Sequence, residues 1–161
     1  MAKIIDIRAL QGGGRSGVEV YIEGFLYDFF KIKKAHESEN VILWVNAAGD
    51  ITLPNFLDDY ANLPSVRLVR TKIPNKILNL CCSILRWPKI DKVVGLPAVD
   101  EVFVLDPRPC PVSKHVKKNI VVHDLSSVKF PQFFSLRSKL WFLTVRLRKE
   151  LEEASKIYAV S

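Results

Sequence analysis

The stretch Gln11-Gly12-Gly13-Gly14-Arg15-Ser16-Gly17 stands between an apolar alternating run, Lys3 to Ala9, and a run of helical period from Val18 to about Ile32. Strand, glycine-rich turn and helix in that order narrow the choice of folds. Open α/β sheets place such turns at strand ends, where backbone NH groups and a helix N-terminus converge on anionic ligands. Four of the chain's seven glycines fall between positions 12 and 17. Three consecutive glycines are costly to order in entropy. An open loop facing a ligand accounts for them better than a simple reversal of the chain.

Downstream, strands and helices alternate. Val18, Ile22, Phe25, Leu26, Phe29 and Phe30 recur at three and four, giving the first helix one wide apolar face. Val41-Ile42-Leu43-Trp44-Val45 is the continuous apolar run of an interior parallel strand. Pro54 to Leu63 reads as a loop with one helical turn, and Val66 to Thr71 as strand three. Pro74 to Trp87 is a helix whose apolar residues exceed a core-facing stripe; a buried helix and a membrane-surface or acceptor-binding segment both fit it. Asp100–Leu105 and Asn119–Val122 are strands four and five, Ser135 to Glu153 one long helix, and Lys156 to Val160 a sixth strand. These elements define the fold class as α/β: a single Rossmann-like doubly wound, largely parallel sheet of about six strands with helices on both faces.

Gly12, Gly14 and Gly17 also satisfy G-x-G-x-x-G. A dinucleotide site needs, in addition, an acidic residue at the end of the second strand to hold the ribose. Here that strand ends in Asn46-Ala47-Ala48, and Arg8-Ala9-Leu10-Gln11 lengthens the loop beyond a tight turn. A dinucleotide-binding oxidoreductase is therefore a third-ranked reading.

Charge is unevenly spread. Residues 1–61 have six basic and nine acidic side chains, net −3; residues 62–161 have eighteen and eight, net +10. The basic half favours an anionic partner, whether phosphates, an acidic membrane surface or nucleic acid, with a solvated surface as the plainer alternative. Cys81, Cys82 and Cys110 are odd in number and form no C-x-x-C pair, so free thiols are expected, with no metal site. No apolar run reaches membrane-spanning length and the N-terminus reads directly as a strand, so a cytoplasmic protein is expected, peripheral on the inner membrane face if it meets lipid.

A second constellation follows strand five. His123-Asp124 at a strand end can orient a hydroxyl or bind phosphate, or instead cap the next turn with Asp124 as an Asx residue. His36 and His115 read as surface residues, and Ser16 and Cys110 have no base implied beside them.

The run Ile5 to Tyr21, which holds the glycine loop, together with Val121-Val122-His123-Asp124-Leu125-Ser126 and Ile157-Tyr158-Ala159-Val160-Ser161, resembles the N-terminal domain of retaining family-4 (group 1) glycosyltransferases of the GT-B fold. Asp106-Pro107-Arg108-Pro109 and Phe130-Pro131 to Trp141 resemble it too. The resemblance implies that residues 1–161 form one acceptor-side domain, and that the C-terminal nucleotide-sugar domain is absent from this chain. It implies transfer of a hexosyl group to a glycan or lipid-linked acceptor of the cell envelope, incomplete without the donor domain. The nucleotide-sugar is then substrate, with no cofactor or metal, and no nucleic acid is expected. His123 would be the catalytic residue, touching the transferred sugar. Gly12, Gly13, Gly14, Arg15, Gly17, Arg8 and Asp124 would line the cleft. A non-catalytic module for anionic lipid or a protein partner is the alternative, and apolar surface left open favours a homo-oligomer.

Overall fold

The computed structural model describes residues 2–12, 16–33, 39–96 and 98–160. Six strands form one sheet: β1 (Ala2–Asp6), β2 (Asn40–Asn46), β3 (Val66–Thr71), β4 (Glu101–Val104), β5 (Lys117–Val122) and β6 (Lys156–Ala159). Their order is β3-β2-β1-β4-β5-β6 and every pairing is parallel. All C-terminal strand ends therefore share one edge. The order reverses between β1 and β4, the place where doubly wound sheets open a ligand crevice.

Both faces of the inner strands are buried, which explains their unbroken apolar runs. Ile4, Ile42, Trp44, Val102, Val104 and Ile120 point to one side, against Leu78 and Cys82 of α3 (Asn75–Ile84) and Ile90 of α4 (Ile90–Val93). Their neighbours Ile5, Val41, Leu43, Val45 and Val121 point to the other. There they meet Ile22, Leu26 and Phe30 of α1 (Gly17–Lys33) and Leu57 of α2 (Phe56–Ala61). The period of two along each strand thus feeds two cores, and the Rossmann-like doubly wound reading holds.

Three local readings change. Arg8 leaves the first strand and opens a 3-10 helix, Arg8–Gly12, which stays against the sheet edge, with Leu10 in the core and Gln11 Nε2 donating to the Asn46 carbonyl. A short helix, α5 (Ser126–Lys129), follows β5. The single helix expected over Ser135 to Glu153 is two, α6 (Leu136–Val145) and α7 (Leu147–Glu152), broken where Arg146 turns left-handed at φ 50°. A non-glycine residue resists that conformation. At Arg146 it is held by a tertiary bond, since Nη1 donates to the Ser83 carbonyl of α3 at 3.2 Å. The break also separates the leucines of the two helices. Leu136, Leu140 and Leu143 of α6 are exposed, while Leu151 of α7 packs on the core.

Candidate functional site

The crevice lies at the C-terminal edge, beside the strand-order reversal. It has a volume of about 450 Å³ and is lined by Val18 from α1, Asp106 and Pro107 after β4, and His123 and Asp124 after β5; its outer wall is Ser126 and Ser127 with Phe134, Trp141 and Phe142. A parallel sheet brings the β4 and β5 ends together, and α6 folds over them to supply the aromatic wall.

His123 is fixed from two sides. Its Nε2 lies 2.8 Å from the Leu105 carbonyl, and because a carbonyl only accepts, Nε2 holds the proton. Tyr21 packs edge-on against the ring with centroids 4.9 Å apart. In the neutral imidazole Nδ1 is then an acceptor, suited to a ligand hydroxyl. Burial, followed by the nearby Tyr158, raises the Tyr21 phenol above its usual titration, so Tyr21 stays uncharged beside the ring. Asp124 is exposed and accepts from the Ser126 amide at 2.8 Å, the Asx turn weighed for it from sequence. It still borders the crevice. Asp106 pairs with Arg108, Oδ2 to Nε at 2.8 Å, placing a charge-balanced pair near the rim.

Arg8, expected in the cleft, is not on its surface. It is 2% exposed, and Asp6 beside it 3%. Nε donates to both Asp6 oxygens at 3.0 and 3.1 Å, and Nη2 to Asp6 at 2.7 Å and the Pro109 carbonyl at 3.3 Å; Nη1 reaches Asn79 at 3.4 Å. The guanidinium also lies 4.5 Å from the Trp44 ring centre. Burial opposes its charge, but Asp6 outweighs that and holds the guanidinium protonated. Arg8 ties the β1, β2 and β4 ends together.

Gly13, Gly14 and Arg15 lie outside the described residues, as does His36. Gly12 ends the 3-10 helix. Gly17 opens α1 with open space where a side chain would sit, so no neighbouring chain requires a glycine there. Ser16 and Glu19 form a capping box: the Ser16 amide donates to Glu19 at 3.1 Å, and the Glu19 amide to Ser16 Oγ at 3.2 Å. The amides of Gly17 and Val18, in the first turn of α1, have no acceptor within the helix, and Val18 lines the crevice.

At the end of β2, buried Asn46 takes the place a ribose-binding acid would need. Its side chain donates to the Ile73 carbonyl at 2.8 Å and to Asn75 at 2.6 Å, and accepts from Thr71 at 2.7 Å. The dinucleotide reading loses its second half there. The three cysteines are unpaired; burial raises Cys82 to about 11 and raises Cys110 further, so neither is a nucleophile near neutral pH. Among the described residues no cluster of His, Cys, Asp or Glu could hold a metal, and no helix is long and apolar enough to cross a membrane.

Asp106, Ser127, Trp141 and Phe142 were not singled out from sequence as site residues. The signal was Asp-Pro directly after the strand that adjoins β1; the aromatic wall had none, because α6 reaches it through the tertiary fold. Sheet and crevice together define a Rossmann-like α/β domain with an open crevice at the C-terminal edge of its strands. No family model, curated protein or solved structure matches the chain.

Proposed function

We propose that this domain is the acceptor-side half of a retaining, nucleotide-sugar-dependent glycosyltransferase, moving a hexosyl group to a glycan or lipid-linked acceptor. The crevice is the observation that supports this most. It lies within the roughly 300–1,000 Å³ common for small-molecule sites, and sets an imidazole acceptor, two carboxylates and two serines against Trp141 and Phe142. A sugar offers hydroxyls at its rim and apolar CH groups on its faces, and needs both kinds of wall. His123 accepts a hydroxyl of the transferred sugar at Nδ1. In this reading the amides opening α1 stabilise the charge that the departing diphosphate gains. Catalysis then comes from positioning and from NH dipoles, without a protein nucleophile. A separate donor-binding domain supplies the facing wall.

Joined to a nucleotide-sugar-binding domain, the His123→Ala variant should lose about 10–1,000-fold in turnover, the range for a polar contact made in the transition state. Its melting temperature should stay within a few degrees of the parent. Unchanged turnover per folded molecule, or low-micromolar nucleotide-sugar binding by this chain alone, overturns the proposal, since a half-site should not supply roughly 8 kcal/mol.

A further inference from the structure

Residues 72–90 and 125–149 contain no Asp or Glu and ten Lys and Arg. They include α3 and α6, which pack against each other, and Arg146 bonds from the second segment to Ser83 of the first. The joined surface is strongly apolar. Ile84, Leu85 and Trp87 (65% exposed) extend from the end of α3, and Phe133 (80%), Leu136 (78%) and Leu140 from α6 and the turn before it. Buried Leu78 and Cys82 already give α3 its core face, so the outer residues are surplus to folding. Among the described residues, Lys76, Lys89, Lys129, Arg137 and Lys139 have no ion-pair partner. A groove of about 740 Å³ bordered by Val128, Phe142, Leu143, Lys139 and Lys149, with Glu152 also on its lining and paired to Arg148, continues this surface to the crevice, sharing Ser127 and Phe142 with it.

We propose that the α3–α6 face docks on an anionic lipid bilayer. Its large apolar side chains would enter the boundary between headgroups and acyl chains, while the unpaired cations meet lipid phosphates. The charge pattern selects this occupant. A second copy joined through a two-fold axis would set the same acid-free cations against themselves, and a nucleic acid would leave the leucines and isoleucines unused. An exposed Trp beside Lys and Arg suits the membrane interface, where an amphipathic ring is favoured. Docking stands independently of the sugar site, but would bring the crevice mouth beside the lipid surface.

Flotation of the whole chain tests it, with vesicles of phosphatidylcholine alone or mixed with about one-third phosphatidylglycerol, in about 0.05 and 0.5 M salt. The chain should float with the anionic vesicles at low salt, lose binding several-fold at high salt, and leave neutral vesicles largely unbound. Lys129→Glu with Lys139→Glu, and separately Leu85→Ser with Trp87→Ser, should each reduce the bound fraction about tenfold. Lys31→Glu on α1, across the sheet, should leave it unchanged. Melting by circular dichroism identifies the variants that remain folded, and the parent chain's lipid and salt dependence needs no variant. Equal flotation with neutral vesicles, none with either, loss in Lys31→Glu equal to that of the face variants, or a lipid-free dimer abolished by Trp87→Ser overturns the proposal.

Discussion

Lys118 Nζ lies 3.0 Å from Glu150 Oε2, and both side chains are fully buried. Lys118 belongs to β5 and Glu150 to α7, so the pair fastens the last helix to the sheet. Arg86, from the end of α3, bonds to Glu150 and Glu153, and Lys118 also reaches Glu153 at 3.4 Å. Two cations and two anions thereby balance one another, Lys118 and Glu150 fully buried, Arg86 mostly so and Glu153 at the exposed edge. Removing one member leaves a buried charge uncompensated. Glu150→Gln should cost about 3–5 kcal/mol in chemical denaturation, and Lys118→Met combined with Glu150→Gln should recover part of that loss. A cost near zero for the single variant would show that water reaches the pair.

Arg8 is a structural cation, so its loss should appear as instability. Arg8→Ala strands Asp6 in the core and should cost about 3–5 kcal/mol. Arg8→Lys should be only partly protective, because an ammonium cannot reproduce the forked bond to Asp6 and the contact with Trp44. Stability of each variant by urea unfolding checks this; a stable Arg8→Ala that only loses ligand would return Arg8 to the site.

The helix that opens beside the crevice depends on its cap. Ser16→Ala removes the oxygen that accepts from the Glu19 amide and should cost about 0.5–2 kcal/mol. Amide exchange should quicken in the first turn of α1 and stay unchanged at its C-terminal end. Uniform exchange along the helix would show that the cap is dispensable.

Alkaline pH should weaken the fold. Burial raises the Cys82 thiol from 9.0 to about 11, and Cys110 rises further for the same reason. A folded-state value above the unfolded one gives stability that is complete below the unfolded value and lost as pH rises toward the folded one. Stability should therefore fall between pH 9 and 11, less steeply in Cys82→Ala. Glu153 acts at the acid end. Burial works against its charge, but Arg86 and Lys118 prevail and lower its titration, so its contribution is present above the usual 4.5 and lost as pH falls through the lowered value. A denaturant series across both ranges reads the two slopes; a flat profile from pH 8 to 11 would contradict the burial of the thiols.

Val41 to Val45 and the alternation around Ile4 and Ile5 determined the parallel sheet by themselves, because strands covered on both faces must be apolar on both. The recurrence of Ile22, Leu26 and Phe30 likewise determined which face of α1 is buried. Those patterns repeat over a few residues and report directly on exclusion from water. The fate of the charged residues did not follow from such patterns. In sequence Arg8 precedes the glycine run as a ligand-binding arginine would, and only Asp6, Trp44 and Pro109, brought together by three strands, make it a core residue. No local glycine or proline marks the break at Arg146; the carbonyl that holds its side chain is 63 residues away in sequence. Tertiary structure alone decided that Asp106, His123 and Trp141 share one crevice, since their proximity comes from strand order and from α6 folding over the sheet edge.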